Sequence, residues 1–250
     1  MLNDVVRALK NKYLYASALI VLLVLSRLVL EMIMDGYWEY DYLMFFNMVS
    51  GFTGFSPFAL LLAAAPYACS FYDEYKSGYT RAALLRARPG RYIAGKIMAV
   101  SASGAVALGL PILIVALIGL TLFQPVTPES MEAFGYAWPY HKEFILRYGG
   151  LAMLGMKVFF AALYGAVWSL PTLIVSCLAM DRLVAIVLPF VANYAVWILA
   201  TGTRWSPSLY LFADNVHLPS HCFVIGMELF YMALFAALAW AAMKWRCAHV

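Results

Sequence analysis

The chain alternates between long apolar stretches and short polar ones, and the apolar stretches have the length of membrane spans. Six stand out, at 13–34, 46–71, 93–123, 151–180, 183–201 and 223–243. A helix needs about 20 mostly apolar residues to cross the hydrocarbon of a bilayer. Several runs exceed that length, so they must tilt, bend or project beyond it. Pro57 and Pro66 interrupt the second run, and Pro111, Pro171 and Pro189 fall in the third, fourth and fifth. Such prolines kink helices, and a membrane bundle absorbs the kink where neighbours satisfy the freed carbonyls. The first run is longer than the apolar core of a signal peptide and lacks a small-residue cleavage site. It therefore reads as a retained span.

Residues 1–12 carry a different pattern. Leu2, Val5, Val6 and Leu9 recur at helical spacing, with Asn3, Asp4, Arg7 and Lys10 on the other side. That spacing predicts a short amphipathic helix lying in the membrane interface, against the plainer reading of a frayed basic terminus.

Composition agrees with the spans. Of 250 residues, 65% are hydrophobic and 12% charged, and the mean hydropathy is +0.81. Soluble domains average roughly 25% charged, and a small soluble fold lacks the interior to hide so much apolar surface. The expectation is a single-domain, all-α integral membrane protein with six transmembrane helices. Its net charge of +4 follows from sidedness rather than from nucleic-acid binding. Arg7, Lys10, Lys12, Lys76, Arg81, Arg86, Arg88, Arg91, Lys96, Arg182, Lys244 and Arg246 fall on one side, twelve of the 17 basic residues. The other side holds Lys142, Arg147 and Arg204 among Asp35, Glu39, Asp41, Glu129, Glu132, Glu143 and Asp214. The positive-inside rule then puts both termini in the cytoplasm. The short Asp181-Arg182 turn makes spans four and five an adjacent antiparallel pair. Cys69, Cys177 and Cys247 fall near the cytoplasmic face and Cys222 outside, so no external disulfide is expected within one copy.

The most polar stretch, 72–92, lies between spans two and three. Asp73 and Glu74 open a short helix there, whose first turn favours negative charge. Lys76, Arg81, Arg86 and Arg88 face water or phosphate, and Pro89-Gly90 breaks the helix. A topogenic basic loop would explain the arginines. It would not explain the acidic pair, the glycine four residues on, or the order of the residues beyond that glycine. That order resembles the cytoplasmic loop of ABC transporter permeases of the type-2 export family. The family's loop has an acidic residue, then a glycine usually followed by threonine, a short leucine-containing helix, a Pro or Ser near an arginine, and a lysine opening the third span. Here those positions are Glu74, Gly78, Leu84 or Leu85, Pro89, Arg91 and Lys96, with Tyr79 where threonine is usual and Thr80 beside it. The sequence likeness is confined to about 71–97; the six spans, the N-terminal helix and the length match in architecture.

The resemblance implies a permease that pairs with a second copy or a homologous permease in a plasma membrane of the bacterial inner-membrane kind. It docks through this loop, as a coupling helix, on a separate cytoplasmic ABC ATPase. ATP and Mg belong to that partner, because this chain has no GxxxxGK[ST] pattern and binds no cofactor of its own. In that reading Asp73, Glu74, Gly78 and Arg81 form the ATPase-coupling face. Arg88, Pro89, Arg91 and Lys96 anchor the loop, the basic three to lipid phosphate.

Other polar residues leave two readings each. Arg27 and Glu31 share a helical face in span one, either as a polar pair on a substrate path or dimer interface, or snorkelling at the outer end. Lys157 and Glu228 either pair across helices or snorkel. Asp214, His217, His221 and Cys222 have metal-ligand chemistry, but Pro219 separates the histidines and no metal site is expected. Tyr37, Trp38, Tyr40, Tyr42, Tyr136, Trp138, Tyr140, Trp205 and Tyr210 read as an outer aromatic belt or an aromatic vestibule for an amphiphilic substrate. There is no HExxH, no GxSxG and no histidine within a span, which argues against an enzyme. A self-contained secondary transporter is the alternative, and it would need ionisable groups near the bilayer midplane.

Overall fold

The computed structural model describes residues 2–86, 88–134, 139–200, 203–214 and 217–248. Among them all extended regular structure is helical, apart from one isolated bridge between Asp41 and Gln124. Helices α1 (Leu2–Leu9), α2 (Lys12–Met34), α3 (Tyr42–Phe52) and α4 (Ala59–Ala64) come first. Then come α5 (Ser70–Lys76), α6 (Tyr79–Arg86), the long α7 (Pro89–Leu122), α8 (Pro128–Phe134) and α9 (Pro139–Tyr148). The chain closes with α10 (Gly150–Trp168), α11 (Leu170–Ala179), α12 (Arg182–Leu199) and α13 (His221–Cys247).

Among the described residues five segments are long and apolar enough to cross a membrane: α2, α7, α10 with α11, α12 and α13. The second expected span is not one helix. In its place α3 and the segment Ser56–Ala64, a one-turn 3-10 helix running into α4, are bent by 67° across a break at residues 53–55. Gly54 at φ +64° stops α3, as a glycine just beyond a helix end commonly does, and Pro57 sits in the one-turn 3-10 helix that follows. The fourth span is also interrupted, at Ser169 ahead of Pro171. Pro111 and Pro189, by contrast, lie inside continuous helices.

Side chains written in the sequence start these helices. Asn11, Asp41, Asp181 and Ser220 each accept a hydrogen bond from a backbone N–H of the first turn they precede. Helix α7 spans about 50 Å at 1.5 Å per residue and is the axle of the bundle. It packs on α10, α1, α2, α4 and α13. The α7–α10 contact depends on two glycines. A Cβ on Gly104 would strike the backbone carbonyl of Gly165, and the reverse holds too. Only small residues let backbones approach so closely in a membrane bundle.

The core has two parts. The larger runs through Leu25, Phe45, Phe46, Leu108, Ile112, Phe160 and Tyr164. The smaller gathers Ala8, Tyr67, Phe71, Tyr92, Ile93, Leu173 and Met243 around the end where α1 and α5 lie. Helix α1 exists as the spacing predicts, but Ala8 rather than the larger residues is its fully buried contact, with Val6 left 40% exposed. Helix α12 exposes Leu183, Leu188, Val191, Ile198 and Leu199, a surface that suits lipid or another apolar chain.

Candidate functional site

The polar stretch folds as two short helices joined at Ser77-Gly78. Gly78 adopts φ +75°, which a glycine tolerates and other residues rarely do. The helix starts at Ser70, so Asp73 lies in its first turn, as expected, and Glu74 follows just beyond it. Pro89 opens α7 at a position where a missing N–H costs nothing.

Glu74 points into the protein. Its Oε1 lies 2.7 Å from Lys96 Nζ and 3.3 Å from Arg7 Nη1, and its Oε2 accepts from the Tyr92 hydroxyl at 2.8 Å. Lys96 is wholly buried, two turns into α7, with Tyr67 Oη and Ser70 Oγ each 3.4 Å from its ammonium and the Tyr67 ring beneath it. One carboxylate thus ties α1, α5 and α7 together. Three donors compensate its burial, which a carboxylate removed from water requires. This corrects two expectations. Lys96 is not an anchor to lipid phosphate, since its ammonium faces Glu74. Glu74 is not a surface contact, since Lys96, Arg7 and Tyr92 cover it. The residues left on the outer face are Asp73, Gly78, Arg81, Arg88, Pro89 and Arg91, all exposed.

A second cluster closes the opposite end of the bundle. Lys157 of α10, also wholly buried, donates to Asp214 Oδ2 at 3.0 Å. His141 of α9 sits with Nδ1 3.7 Å from Asp214 Oδ1 and Nε2 3.0 Å from the Ala213 carbonyl. That carbonyl also accepts from the Tyr140 hydroxyl at 2.8 Å. The His141 and His221 rings stack at 5.1 Å. Burial first, and then the Lys157 ammonium, lower the His141 pKa to about 3 against the opposing pull of Asp214. The ring is therefore neutral near pH 7. Lys157 and Glu228 do not pair, and Lys157 does not snorkel.

The third feature lies within the spans. Glu228 of α13 is 1% exposed. Its Oε1 accepts from Trp168 Nε1 at 3.2 Å, and its Oε2 has no hydrogen-bond partner. The Tyr164 hydroxyl of α10 and the Asn193 side chain of α12 are buried as well, close enough to interact with each other. Tyr231 stacks on Phe235, and the Trp168 ring meets the first tilted and the second edge-on. Sequence reading passed over Tyr164, Trp168 and Asn193. Their signal was a polar atom inside an otherwise apolar run.

Arg27 and Glu31 are both exposed, and no ion pair joins them among the described residues. Glu31 borders an open cavity of about 260 Å³ with Tyr37, Tyr40, Met48 and Phe52. The aromatic belt divides. Tyr37, Trp38 and Trp205 are exposed, whereas Tyr42 and Tyr210 are buried, the latter donating to the Arg204 carbonyl. Tyr136 and Trp138 lie outside the described residues. Compared with known proteins, the chain matches no family model, no curated protein and no solved structure.

Proposed function

We propose that the chain is the membrane-spanning permease subunit of an ATP-driven ABC exporter. The bent pair α3–α4 counts as one broken span, giving six, with both termini cytoplasmic in a plasma membrane. Two such subunits pair, and each couples to a cytoplasmic ATPase that supplies ATP and Mg chemistry. The moved substrate is hydrophobic or amphiphilic, in keeping with a bundle lined by apolar and aromatic side chains.

One observation carries this reading. The α5–α6 bracket is locked on its inner side to α1 and α7 through Glu74, while its outer side presents Gly78 and Arg81. A partner pushing on the bracket would move the axle of the bundle directly. The resemblance of 71–97 to the family's loop names that partner and the outward direction. Co-purification tests it. The detergent-solubilised chain should retain a soluble ATPase, and Arg81→Glu should release it from a chain that still inserts and folds. An intact chain that captures no ATPase, or an Arg81→Glu chain that captures it equally, refutes the proposal.

Glu228 favours a second reading, a self-contained secondary transporter. A carboxyl inside the bundle with an open acceptor position is the kind of group such proteins use to couple ion movement. ATP-independent, proton-linked flux in vesicles that is lost in Glu228→Gln would select it over the first.

A further inference from the structure

A cavity of about 180 Å³ opens where α1, the start of α2, the 65–69 turn and the α11–α12 turn meet. Four charged residues line it: Arg7, Asp73, Glu74 and Arg182. Two of them are already committed. Arg7 lies 3.3 Å from Glu74, whose charge Lys96 also meets at 2.7 Å. Asn11 on the same wall is committed as well, its side-chain amide donating to the Pro66 carbonyl at 2.7 Å. Asp73 and Arg182 remain. Both are exposed, and neither makes an ion pair among the described residues. Cys69 lies close enough to both to feel each charge. The Arg182 guanidinium rests over the Tyr13 ring at 5.5 Å, which holds it at the rim.

The cavity therefore offers, on its lining, one cation and one carboxylate that no ion pair among the described residues takes up, and its four charges sum to zero. It also opens beside apolar surface. Leu183 and Val184 of α12 and Tyr15 and Leu19 of α2 are exposed just beyond it. A ligand suited to this place carries a phosphate, a primary ammonium and apolar chains. Guanidinium matches phosphate with two parallel donors, and an ammonium with three N–H groups matches a carboxylate.

We propose that this cavity binds the headgroup of a zwitterionic phospholipid bearing a primary ammonium, with the phosphate on Arg182 and the ammonium on Asp73. The acyl chains then run down the exposed faces of α2 and α12. Binding there joins the α11–α12 turn to the bracket formed by α5, two parts of the bundle separated by more than a hundred residues of sequence.

Native mass spectrometry of the purified full chain in detergent, without any ATPase, tests the assignment. Its result is independent of whether the chain is a permease. Phosphatidylethanolamine, phosphatidylcholine and phosphatidylglycerol are offered at equal concentration, and soluble phosphoethanolamine in a separate arm. Phosphatidylethanolamine should be retained about tenfold better than either other lipid. Choline has no N–H for Asp73, and glycerol has no charge for it. Asp73→Asn should invert the preference toward phosphatidylglycerol, a gain that misfolding cannot mimic. Arg182→Gln should abolish retention of all three, and Arg182→Lys should restore part of it. Equal retention of the three lipids, a preference unchanged in Asp73→Asn and Arg182→Gln, or soluble phosphoethanolamine binding as tightly as the lipid, overturns the proposal.

Discussion

Each end of the bundle buries a lysine against a carboxylate, and the two pairs are built differently. At one end both partners are helix-borne. Lys96 comes from α7 and Glu74 from α5, and Arg7 and Tyr92 fill the remaining positions on the carboxylate. At the other, Lys157 is helix-borne, but Asp214 follows Ala213, a non-glycine residue at φ +51°, in the segment before α13. The side chain of Glu74 is 9% exposed and that of Asp214 26%. A carboxylate removed from water depends wholly on its partners, whereas one that keeps part of its hydration does not. The Glu74 pair thus acts as a joint that makes three helices move together. The Lys157 pair acts as a latch that holds a loop across the end of the bundle.

The comparison predicts an order of effects. Glu74→Gln leaves Lys96 buried without a counter-charge and should cost about 3–5 kcal/mol in thermal or denaturant unfolding. Lys157→Met should cost less, about 2 kcal/mol, because Asp214 can turn toward water. If the second loss equals or exceeds the first, the distinction between joint and latch fails. Tyr92→Phe sharpens it. The substitution removes one hydrogen bond to Glu74 yet leaves both cations, so about 1.5 kcal/mol should be lost, the low end for a bond to a charged group. A loss as large as that of Glu74→Gln would mean that the hydroxyl, not the cations, carries the joint.

The parts of this structure that were legible in the sequence are those set by local pattern. Apolar runs found α2, α7, α12 and α13 to within a few residues, because length and hydropathy are properties of neighbouring residues. Pro57 and Pro66 marked where the second run breaks, although the 67° bend needed Gly54 as well. Pairing was not legible. Arg7 and Glu74 are 67 residues apart, and Lys157 and Asp214 are 57 apart. Charge placement gives the side of the membrane a lysine lies on, not whether its ammonium turns outward to phosphate or inward to a carboxylate. Lys96 was misread for that reason. Proximity in sequence is incomplete as well: Asp214 and His221 do share one cluster, but it is completed by His141, which lies between them, and by Lys157, which takes the Asp214 carboxylate, both distant in sequence. Tyr42 and Tyr210 read as belt residues because aromatics near a span end usually are, and only packing buries them.

The smallest effect expected is a dependence on pH at the latch. His141 is buried and its pKa is lowered to about 3, by burial first and then by Lys157. In the unfolded chain a histidine titrates near 6.5. Between those values the unfolded state binds a proton that the folded state refuses, so stability rises with pH. The contribution is fully present above about pH 6.5 and is lost as pH falls toward 3. From pH 6.5 to about 5.5 the loss should be about 1 kcal/mol. His141→Gln keeps a side-chain amide to donate to the Ala213 carbonyl and removes the titration, so its unfolding curve should be flatter with pH over this interval. The ordinary carboxylates scarcely titrate there, so the difference between the two curves isolates the ring. A His141→Gln chain with the same slope as the parent would place the titrating group elsewhere, and the neutral histidine would no longer distinguish the latch from the joint.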